Sequence, residues 1–454
     1  MTPCLRVSRF TDKIGGRARS IEFDGRKYEA GASVIHKANQ YFVAFCEKFG
    51  LERRRVVLSG TGMAFRGSTS DKLFRLSGSK LKDSLSIILR YGVFNLLKLK
   101  RTVAKCVDKF GLVYDRQCRG TWYSSPVEML ESLGDPDDNL AQMLGLSVDD
   151  YLVNHCGIDE MLVKELVNAG TRCNYRQAGR SLNAFCGTVS MAGTDSHALF
   201  SVVGGNDQVP QKCIEHSGAK VLSGCRVSKI EVLQRMQSAG NIRIYYNTSE
   251  ARDYDAVIVA CPLEFNRIEF AGSRDARKAV NLLTAESHTM CRTVCHYVKG
   301  RLRADVIDRP VNLAGVLSYE PDESIPWTAI GLQIPVDANQ EETQIIKAQL
   351  SRGEETVFKI FAERPLTASE IGAMLEQSKP LDLAVQDWQT GAYPMYHVGD
   401  TLLPFDLGGG IFTTSPMERA ASALETVCIS GRNAALLVRE HLIQQELAER
   451  TTSS

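Results

Sequence analysis

The alternation of strand-like and helix-like segments is the feature that most constrains the fold of this chain. Short apolar runs closed by turn residues recur in residues 1–60 and again in 218–262, with strongly helical patterns between them. The clearest strand pattern is Asp255–Cys261, which is apolar after its first residue, rich in β-branched side chains and ended by Pro262. Such a run is typical of a strand buried on both faces in a parallel sheet. The sequence therefore predicts an α/β protein.

Composition and net charge limit both the kind of fold and the kinds of partner that are expected for this chain. The 454 residues correspond to roughly three domain-sized units. A content of 44% hydrophobic and 24% charged residues excludes disorder as the main state. Lysine and arginine (54) nearly balance aspartate and glutamate (53), which gives a formal net charge of +1. Without a long run of one sign, nucleic acid is not expected as a partner.

Cysteine spacing and apolar run length argue against a structural zinc site and against a membrane span. Thirteen cysteines are too sparse for a disulfide scaffold, and their odd number leaves at least one thiol unpaired within the chain. Cys291 and Cys295 lack the CxxC spacing of a zinc site. No stretch reaches the ~18 apolar residues of a membrane span. The segment Met1–Arg6 lacks the charged and apolar blocks of a signal peptide.

Two elements near the N-terminus follow from turn chemistry and periodicity. Asp24-Gly25 supplies the positive φ angles of a tight turn, so the flanking segments 21–23 and 27–30 are predicted to form a hairpin. Residues 38–49 carry apolar side chains at spacings of three and four and are followed by Gly50, which predicts a helix with one buried face.

The segment 81–110 has a helical pattern with two interpretations. Its apolar positions share one face, with basic side chains clustered beyond them. These positions are Leu85, Ile88, Leu89, Val93, Leu96 and Leu97. The face either packs on a domain core or forms a lipophilic lid or a helix resting on a membrane, so peripheral membrane contact stays open. Exposed apolar area would favour the second interpretation.

Adjacent glycines near the N-terminus form the first candidate for ligand contact. Gly15 and Gly16 allow a backbone to approach a phosphate closely, and Arg17 behind them can supply planar donors to phosphate oxygens. The segment 31–36 follows after the hairpin. A glycine pair is also an ordinary turn, so the motif alone decides nothing.

The start of the last long helix is the second candidate. Ser422 and Glu425 have the spacing of a capping box, which predicts that a helix begins there. The free amides and the positive dipole end around Leu424, Glu425 and Thr426 suit an electron-rich or anionic group. The same pattern describes a capped core helix.

A strand, a turn and a second strand in residues 220–230 form the third candidate. The main chain at Val227 offers a donor and an acceptor that suit the edge of an adenine.

Together these segments resemble the prenylcysteine oxidase family, also called prenylcysteine or farnesylcysteine lyases. The likeness extends over nearly the whole chain, and the motifs occur in the family's order and spacing. The motifs are Gly15-Gly16-Arg17, Tyr28–His36, Asn174–Gln177, Gly204-Gly205-Asn206 and Pro416–Thr426.

The resemblance implies an α/β flavoprotein with an incomplete FAD-binding domain of the Rossmann type, similar to that of the amine oxidases, and an inserted α+β substrate domain. The expected divisions are an FAD domain of residues 1–62, 200–268 and 398–447, a substrate domain of 63–199 and 269–397, and a frayed tail at 448–454. FAD is the implied cofactor. Members oxidise the thioether of farnesyl- or geranylgeranyl-cysteine with oxygen and release cysteine, the prenyl aldehyde and hydrogen peroxide.

The resemblance also implies roles for individual residues. Gly15, Gly16 and Arg17 would approach the FAD phosphates, and Gly31, Ala32 and Ser33 would run along the flavin ring. Val227 would hold adenine, and Leu424, Glu425 and Thr426 would present amides to the flavin pyrimidine edge. His36, Tyr175 and Tyr393 are the candidate neighbours of the substrate sulfur.

The chain departs from the family pattern at its N-terminus. The first strand and the GxGxxG turn of a dinucleotide site are not found, and Arg9 stands where an acidic residue should hold the ribose. We therefore expect an N-terminally truncated member, and a non-catalytic chain without FAD stays open. A flavin amine oxidase is the other alternative, which an aromatic pair stacked beside the flavin, such as Tyr393 and Tyr396, and a polar funnel for the amine would favour.

The resemblance places the protein in a lysosome or vacuole. Asn247-Thr248-Ser249 is a glycosylation sequon that agrees with such a route but does not decide it.

Overall fold

The computed structural model describes residues 6–8, 13–56, 61–68, 73–193, 198–233, 240–246, 250–264, 267–285, 288–307 and 313–452. Within these ranges strands and helices alternate along the chain, so the predicted α/β class is confirmed. Arg9 and the Asn247 sequon lie outside the described residues.

The described strands are numbered here in chain order. They are β1 (Arg6–Ser8), β2 (Ser20–Phe23), β3 (Arg26–Glu29), β4 (Ile35–His36), β5 (Arg53–Arg55), β6 (Gly62–Arg66), β7 (Phe74–Leu76), β8 (Gly134–Asp135), β9 (Asp138–Asn139), β10 (Leu199–Val202), β11 (Lys220–Leu222), β12 (Val227–Val232), β13 (Ile242–Tyr246), β14 (Glu250–Tyr254), β15 (Val257–Val259), β16 (Glu269–Ala271), β17 (Met290–Leu302), β18 (Leu313–Ser318), β19 (Trp327–Leu332), β20 (Thr356–Ala362), β21 (Leu375–Glu376), β22 (Leu383–Pro394) and β23 (Ile411–Thr413).

The helices are numbered in the same way. They are α1 (Gln40–Lys48), α2 (Lys80–Tyr91), α3 (Val93–Cys118), α4 (Pro126–Ser132), α5 (Val148–Asp150), α6 (Glu160–Leu162), α7 (Asn168–Tyr175), α8 (Ala184–Ala192), α9 (Gln208–Ser217), α10 (Arg274–Ala285), α11 (Ala304–Ile307), α12 (Gln340–Ser351), α13 (Ala368–Met374), α14 (Pro416–Ala420) and α15 (Leu424–Thr452). A 3-10 segment (Leu140–Gly145) and two π-helical segments (Tyr151–His155 and Val163–Val167) complete the helical region.

An eight-stranded sheet is the largest β structure in the described residues. Its strand order is β21-β17-β20-β19-β18-β6-β7, with β22 also paired to β17, and β6 runs parallel to β18. The smaller sheets are β4-β10-β5, β14-β13-β12-β16, and the parallel pairs β1-β11 and β15-β23. Segments far apart in sequence therefore meet in the eight-stranded sheet, in β4-β10-β5 and in both parallel pairs, whereas β14-β13-β12-β16 is built from residues 227–271 and β2-β3 and β8-β9 are hairpins.

The predicted N-terminal hairpin is confirmed as β2 and β3. Asp24 and Gly25 have φ angles of 48° and 71°, as a tight turn between twisted strands requires. The hairpin is fixed to the large sheet at its end, because the carbonyl of Glu29 accepts hydrogen bonds from Tyr297 Oη at 2.6 Å and from Lys359 Nζ at 3.0 Å. The predicted helix at 38–49 is confirmed as α1.

Two local expectations differ from the structure. The strand predicted at 255–261 is shorter in the structure, where it is β15, and it pairs in parallel with β23 as predicted. It is not buried on both faces, because Ile258 is 41% exposed. In the described residues β15 pairs with one strand, so its other edge has no strand partner and β15 does not lie inside a wide parallel sheet. The tail predicted from residue 448 is helical through Thr452 as the end of α15.

Helices α2 and α3 present most of their predicted apolar face to solvent. Leu85, Ile88, Leu89, Val93 and Leu97 are exposed, and of the predicted set Leu96 packs on the core. The opposite side holds the helices in place. Tyr91 is buried, and both Arg90 and the Tyr91 hydroxyl bond to the carboxylate of Glu165 at 2.6 and 2.7 Å. The interpretation of this face as a core-packed face is therefore wrong.

Candidate functional site

A cavity of about 1990 Å³ brings together segments from both ends of the chain. Its wall contains all but one of the residues predicted for the cofactor and the substrate. These wall residues are Gly15, Gly16, Arg17, Gly31, Ala32, Ser33, His36, Tyr175, Tyr393, Leu424, Glu425 and Thr426. The opening glycines and the start of the last helix, some four hundred positions apart, thus face one space.

Val227 is the predicted site residue that does not line this cavity. It lies at the start of β12, opposite Tyr246 of β13, and packs against the small apolar core around Ile230 and Val259.

The glycine pair forms a tight turn in the cavity wall. Gly15 and Gly16 have φ angles of 111° and 57°, which favour glycine, and the turn closes through a hydrogen bond from Ala18 N to Gly15 O at 2.9 Å. A Cβ at Gly15 would lie 2.4 Å from the Ala18 carbonyl oxygen. The turn therefore keeps backbone, and not side chains, at this part of the wall.

Arg17 is held by protein groups on the far side of the cavity. One Nη donates to both carboxylate oxygens of Glu418 at 2.5 and 2.6 Å, and the other donates to the carbonyl of Ala392 at 2.9 Å. Two of the planar donors that suit a phosphate are thus engaged with α14 and with the C-terminal end of β22. The pair ties the glycine turn to α14, the short helix that precedes α15.

Gly31 lies where the chain has no room for a side chain. A Cβ there would come within 1.7 Å of the Arg17 carbonyl oxygen and 3.4 Å of the Trp388 ring. Ala32 N donates to the same Arg17 carbonyl at 3.3 Å. The strip Gly31-Ala32-Ser33 therefore lies flat against the glycine turn and makes a smooth wall.

The last helix begins at Leu424, as predicted, but not through a capping box. The Glu425 carboxylate accepts from the backbone N–H groups of Tyr41 at 2.7 Å and Phe42 at 3.0 Å, which are free donors at the start of α1. Thr426 Oγ1 accepts from Ala423 N at 2.9 Å in its place. Glu425 thus fixes α1 against α15, while the backbone of 424–426 stays at the cavity.

The aromatic residues near the helix start meet edge to face. The Tyr175 and Tyr393 rings have centroids 5.7 Å apart at 89°, and Tyr175 and Tyr396 lie 5.3 Å apart at 70°. Tyr396 is fully buried, and its hydroxyl donates to the Glu418 carbonyl and accepts from Ser422 N, both at 2.9 Å. No pair of parallel rings encloses a substrate among these three.

Two of the tyrosines can act on the cavity side. The Tyr175 hydroxyl donates to the Ser422 carbonyl at 3.0 Å, and Thr293 Oγ1 donates to the Tyr393 hydroxyl at 2.9 Å. Removal from water raises the pKa of both hydroxyls well above the usual 10. Both hydroxyls therefore stay protonated and do not act as bases, and because Tyr175 donates its proton to Ser422, Tyr393 is the candidate donor to a ligand.

His36 lies in β4, half-buried at the cavity edge. Its Nδ1 accepts from Ala38 N at 3.1 Å, which fixes the ring on the main chain.

Sequence reasoning missed two buried charged residues in the wall, Glu29 and Lys359. Glu29 Oε1 accepts from Asn206 N at 2.7 Å, and Oε2 has no hydrogen-bond partner in the described structure. Desolvation raises the pKa of Glu29 to about 7. Burial also lowers the pKa of Lys359, which stands 4.6 Å above the Phe361 ring. The position of Lys359 as a lone lysine within the apolar strand β20 is the sequence signal that could have revealed its burial.

The raised pKa of Glu29 predicts that this carboxyl group stabilises the fold more in acid than at neutral pH. The carboxyl titrates near 4.5 in the unfolded chain and at about 7 when folded, so the folded protein holds the proton through that interval and stability falls as pH rises across it. At ~1.4 kcal/mol per pH unit, the contribution of Glu29 to the free energy of unfolding should fall by about 3 kcal/mol between pH 4.5 and 7.

Urea unfolding at a series of pH values measures this slope. Glu29→Gln should flatten it, whatever the variant's absolute stability, because the amide does not titrate. Equal slopes in the two proteins would contradict the assignment.

The wall fits FAD at its flavin end. The volume exceeds the ~1,000 Å³ upper range of pockets for drug-sized ligands, so a dinucleotide and an apolar substrate have room together. The crowding at Gly31 shows that a flat, side-chain-free surface is built there, and the helix amides of 424–426 suit an electron-rich ring edge. Val227, the residue predicted to contact adenine, lies in β12 and does not line this cavity.

Comparison with protein families identifies this arrangement. The model of the family described as prenylcysteine lyase matches residues 74–449. Prenylcysteine oxidase 1 of Bos taurus is 31% identical, with 96% of this chain and 84% of the relative aligned. Farnesylcysteine lyase of Arabidopsis thaliana is 26% identical over 95% of this chain and 81% of its own.

Solved structures resemble the fold over nearly the whole chain. A double mutant of putrescine oxidase superposes with a TM-score of 0.60 at 14% identity and covers 95% of this chain and 93% of its own. Cyclohexylamine oxidase from Brevibacterium oxydans gives 0.60 at 14% identity, with 96% and 93% covered. The expected amine-oxidase-like architecture is therefore confirmed as a fold.

Proposed function

Because the chain belongs to the prenylcysteine lyase family, we propose that it is an FAD-dependent oxidase of the thioether in farnesyl- or geranylgeranyl-cysteine. The C–S bond breaks, the prenyl carbon is oxidised to an aldehyde with oxygen from water, and free cysteine leaves. Molecular oxygen takes up the two electrons and becomes hydrogen peroxide. The observation that carries the proposal is the convergence of the separated motifs on one cavity.

The residues that would hold FAD are those that keep the wall free of side chains. Gly31, Ala32 and Ser33 would lie along the flavin, and the backbone of 424–426 would face its pyrimidine edge, where donors stabilise negative charge. Gly15 and Gly16 would lie near the phosphates. When bound, FAD accepts the hydrogen and electron pair from the carbon next to sulfur and passes the electrons to oxygen.

The substrate side combines apolar walls with a few donors. Helix α3 contributes Val107, Phe110 and Leu112, and the large sheet contributes Met63 and Leu317, which suit a prenyl chain. These side chains exclude bulk water from the reacting carbon. The Tyr393 hydroxyl supplies a donor for sulfur or for the cysteine head group, and the Tyr175 hydroxyl, whose proton is engaged with the Ser422 carbonyl, can act there as an acceptor. His36 is the third candidate at this side.

Replacing Tyr393 by phenylalanine should lower kcat/KM for farnesylcysteine roughly three- to tenfold, the effect of one hydrogen-bond donor. FAD content should stay unchanged, because the ring and its contact with Tyr175 remain. Tyr245→Phe is the matched control, since the Tyr245 hydroxyl bonds to Glu231 far from the cavity wall. Initial rates of peroxide formation provide the measurement, and an unchanged rate in the Tyr393 variant would remove this residue from the reaction.

The activity itself is tested by purifying the chain, recording flavin absorbance and measuring peroxide from farnesylcysteine. Stoichiometric FAD and substrate-dependent peroxide are expected. FAD without peroxide from farnesylcysteine, but with peroxide from simple amines, would assign an amine oxidase. Complete absence of FAD would favour a non-catalytic chain. The edge-to-face tyrosines and the fully buried Tyr396 do not favour amine oxidation.

We propose a lysosomal or vacuolar location from the family resemblance, and a protonated Glu29 carboxyl would be compatible with an acidic compartment. Glycosylation at Asn247 would accompany delivery by that route. Colocalisation of a tagged chain with an acidic-compartment marker, together with a mobility shift on glycosidase treatment, tests both points.

A further inference from the structure

An exposed apolar stripe runs along α2 and the first turn of α3. Leu81, Leu85, Ile88 and Leu89 recur every three or four residues on α2, so they project from one side, and Val93, Phe94 and Leu97 continue the stripe on α3. All seven are exposed, with Leu81, Phe94 and Leu89 at 86%, 78% and 77%. Large side chains this exposed and this contiguous mark an interaction surface.

The stripe is held outward by the fold. Ile87, Leu96, Leu99 and Val103 pack inward on the core, and the buried pair of Arg90 and Glu165 anchors the end of α2. These contacts occupy the opposite side of both helices, so the apolar stripe does not turn inward without breaking them.

Basic side chains flank the stripe. Lys80, Lys82, Lys100 and Arg101 are exposed, and the described part of the chain offers none of them an acidic partner. Over residues 80–101 the one acidic side chain is Asp83, which is bonded to the backbone of Ser77 and Gly78. On a chain of net charge +1 this is a local excess of positive charge beside apolar side chains. An amphipathic surface of this composition complements an anionic lipid interface.

The same helix connects the stripe with the cavity. Further along α3, Val107, Phe110, Gly111 and Tyr114 line the cavity wall, and Leu112 lines it while 47% exposed. A prenylated cysteine partitions into lipid because of its long hydrocarbon chain. In the described residues no helix combines the length and apolar content needed to cross a bilayer.

We propose that the Leu81–Leu97 stripe docks the protein on the surface of a bilayer that contains anionic lipid, with α3 directed from the interface to the cavity. Docking follows from the surface alone. The further statement that it gives access to prenylcysteine dissolved in the bilayer rests on the proposed function.

Sedimentation of the purified full chain with vesicles tests docking, with phosphatidylcholine vesicles compared with vesicles that also contain phosphatidylserine. Leu89→Ser combined with Phe94→Ser should lower partitioning by roughly tenfold for each side chain removed from the interface. Lys100→Gln combined with Arg101→Gln should weaken the preference for phosphatidylserine and its sensitivity to salt. Leu447→Ser, at an exposed leucine (57%) near the end of α15, is the matched control and should bind as wild type.

The outcomes separate docking from catalysis. If wild type does not sediment with either vesicle, or the double variant sediments equally, the proposal is overturned. If the same variant instead dissociates a dimer in gel filtration, the stripe joins two copies and the proposal is also overturned.

A substrate comparison tests the access step. The Leu89/Phe94 variant should lose peroxide formation with farnesylcysteine supplied in vesicles, but keep it with a cysteine carrying one isoprene unit, which stays in water. If neither substrate gives peroxide while binding still depends on the stripe, docking stands and the proposed activity fails.

Discussion

Replacing Gly31 by alanine is expected to abolish stable flavin binding. The added Cβ would lie 1.7 Å from the Arg17 carbonyl oxygen and 2.9 Å from its carbonyl carbon, so backbone has to move and no side chain can yield instead. Because Arg17 O also accepts from Ala32 N, the shift moves the strip and the glycine turn together. We expect FAD affinity to fall by roughly a hundredfold or more, a loss of about 3 kcal/mol.

Flavin fluorescence titration of the apoprotein measures this loss. Gly372→Ala is the matched control, because Gly372 lies exposed in α13 with no atom within 4 Å of the added Cβ. That substitution should leave FAD binding unchanged and raise the free energy of unfolding by about 0.5–1 kcal/mol. An alanine at Gly31 that binds FAD as tightly as wild type would show that the strip does not contact the flavin.

Replacing Arg17 by methionine should destabilise the fold strongly. It leaves the Glu418 carboxylate, whose side chain is 10% exposed, without its bidentate partner, and because the Arg17 side chain is 28% exposed we expect a cost of about 2–3 kcal/mol, at the low end for buried pairs. The free energy of unfolding from urea titration is the readout. Arg26→Met is the control, since Arg26 pairs with the half-exposed Asp337 at 3.0 Å and its loss should cost less than about 1 kcal/mol.

A second substitution separates the ion pair from any contact with the cofactor. Arg17→Met combined with Glu418→Leu should recover most of the lost stability, because no charge is then left buried without a partner. If FAD affinity stays low in that double variant, Arg17 also contributes directly to the cofactor. If the double variant is no more stable than Arg17→Met alone, the stabilising role of the pair is contradicted.

The elements that could be predicted are those with a local cause. Asp24-Gly25 fixes the β2-β3 hairpin through its own φ angles, and the spacing of residues 38–49 fixes α1. The convergence of the glycine turn with the start of α15 could be anticipated because short motifs in a family order carry that information. That prediction did not require knowledge of the sheets formed by the residues between the glycine turn and α15.

The contacts that escaped prediction join residues far apart in the chain. Glu425 has the spacing of a local capping residue, but its carboxylate instead accepts hydrogen bonds from the free backbone amides of Tyr41 and Phe42. Those amides belong to α1, so nothing in the sequence of α15 reveals them. Arg17 similarly finds Glu418 across about four hundred residues. The burial of Glu29 and Lys359 depends on the large sheet, which a hydrophobicity pattern does not assemble.

The exposed stripe on α2 and α3 shows a second limit of prediction from hydrophobic periodicity. Periodicity correctly groups Leu85, Ile88 and Leu89 on one side of a helix, but it does not state what covers that side. The answer depends on which face the neighbouring core fills, and here Ile87, Tyr91 and Leu96 fill it.

Hydrogen bonds to the Glu29 carbonyl connect the cavity wall to the eight-stranded sheet. Tyr297 and Lys359 both donate to it from neighbouring strands of the eight-stranded sheet, directly beside Ala30 and Gly31. Exchanging β17 and β20 for the corresponding strands of a relative would therefore shift the Gly31 strip of the cavity wall together with the sheet.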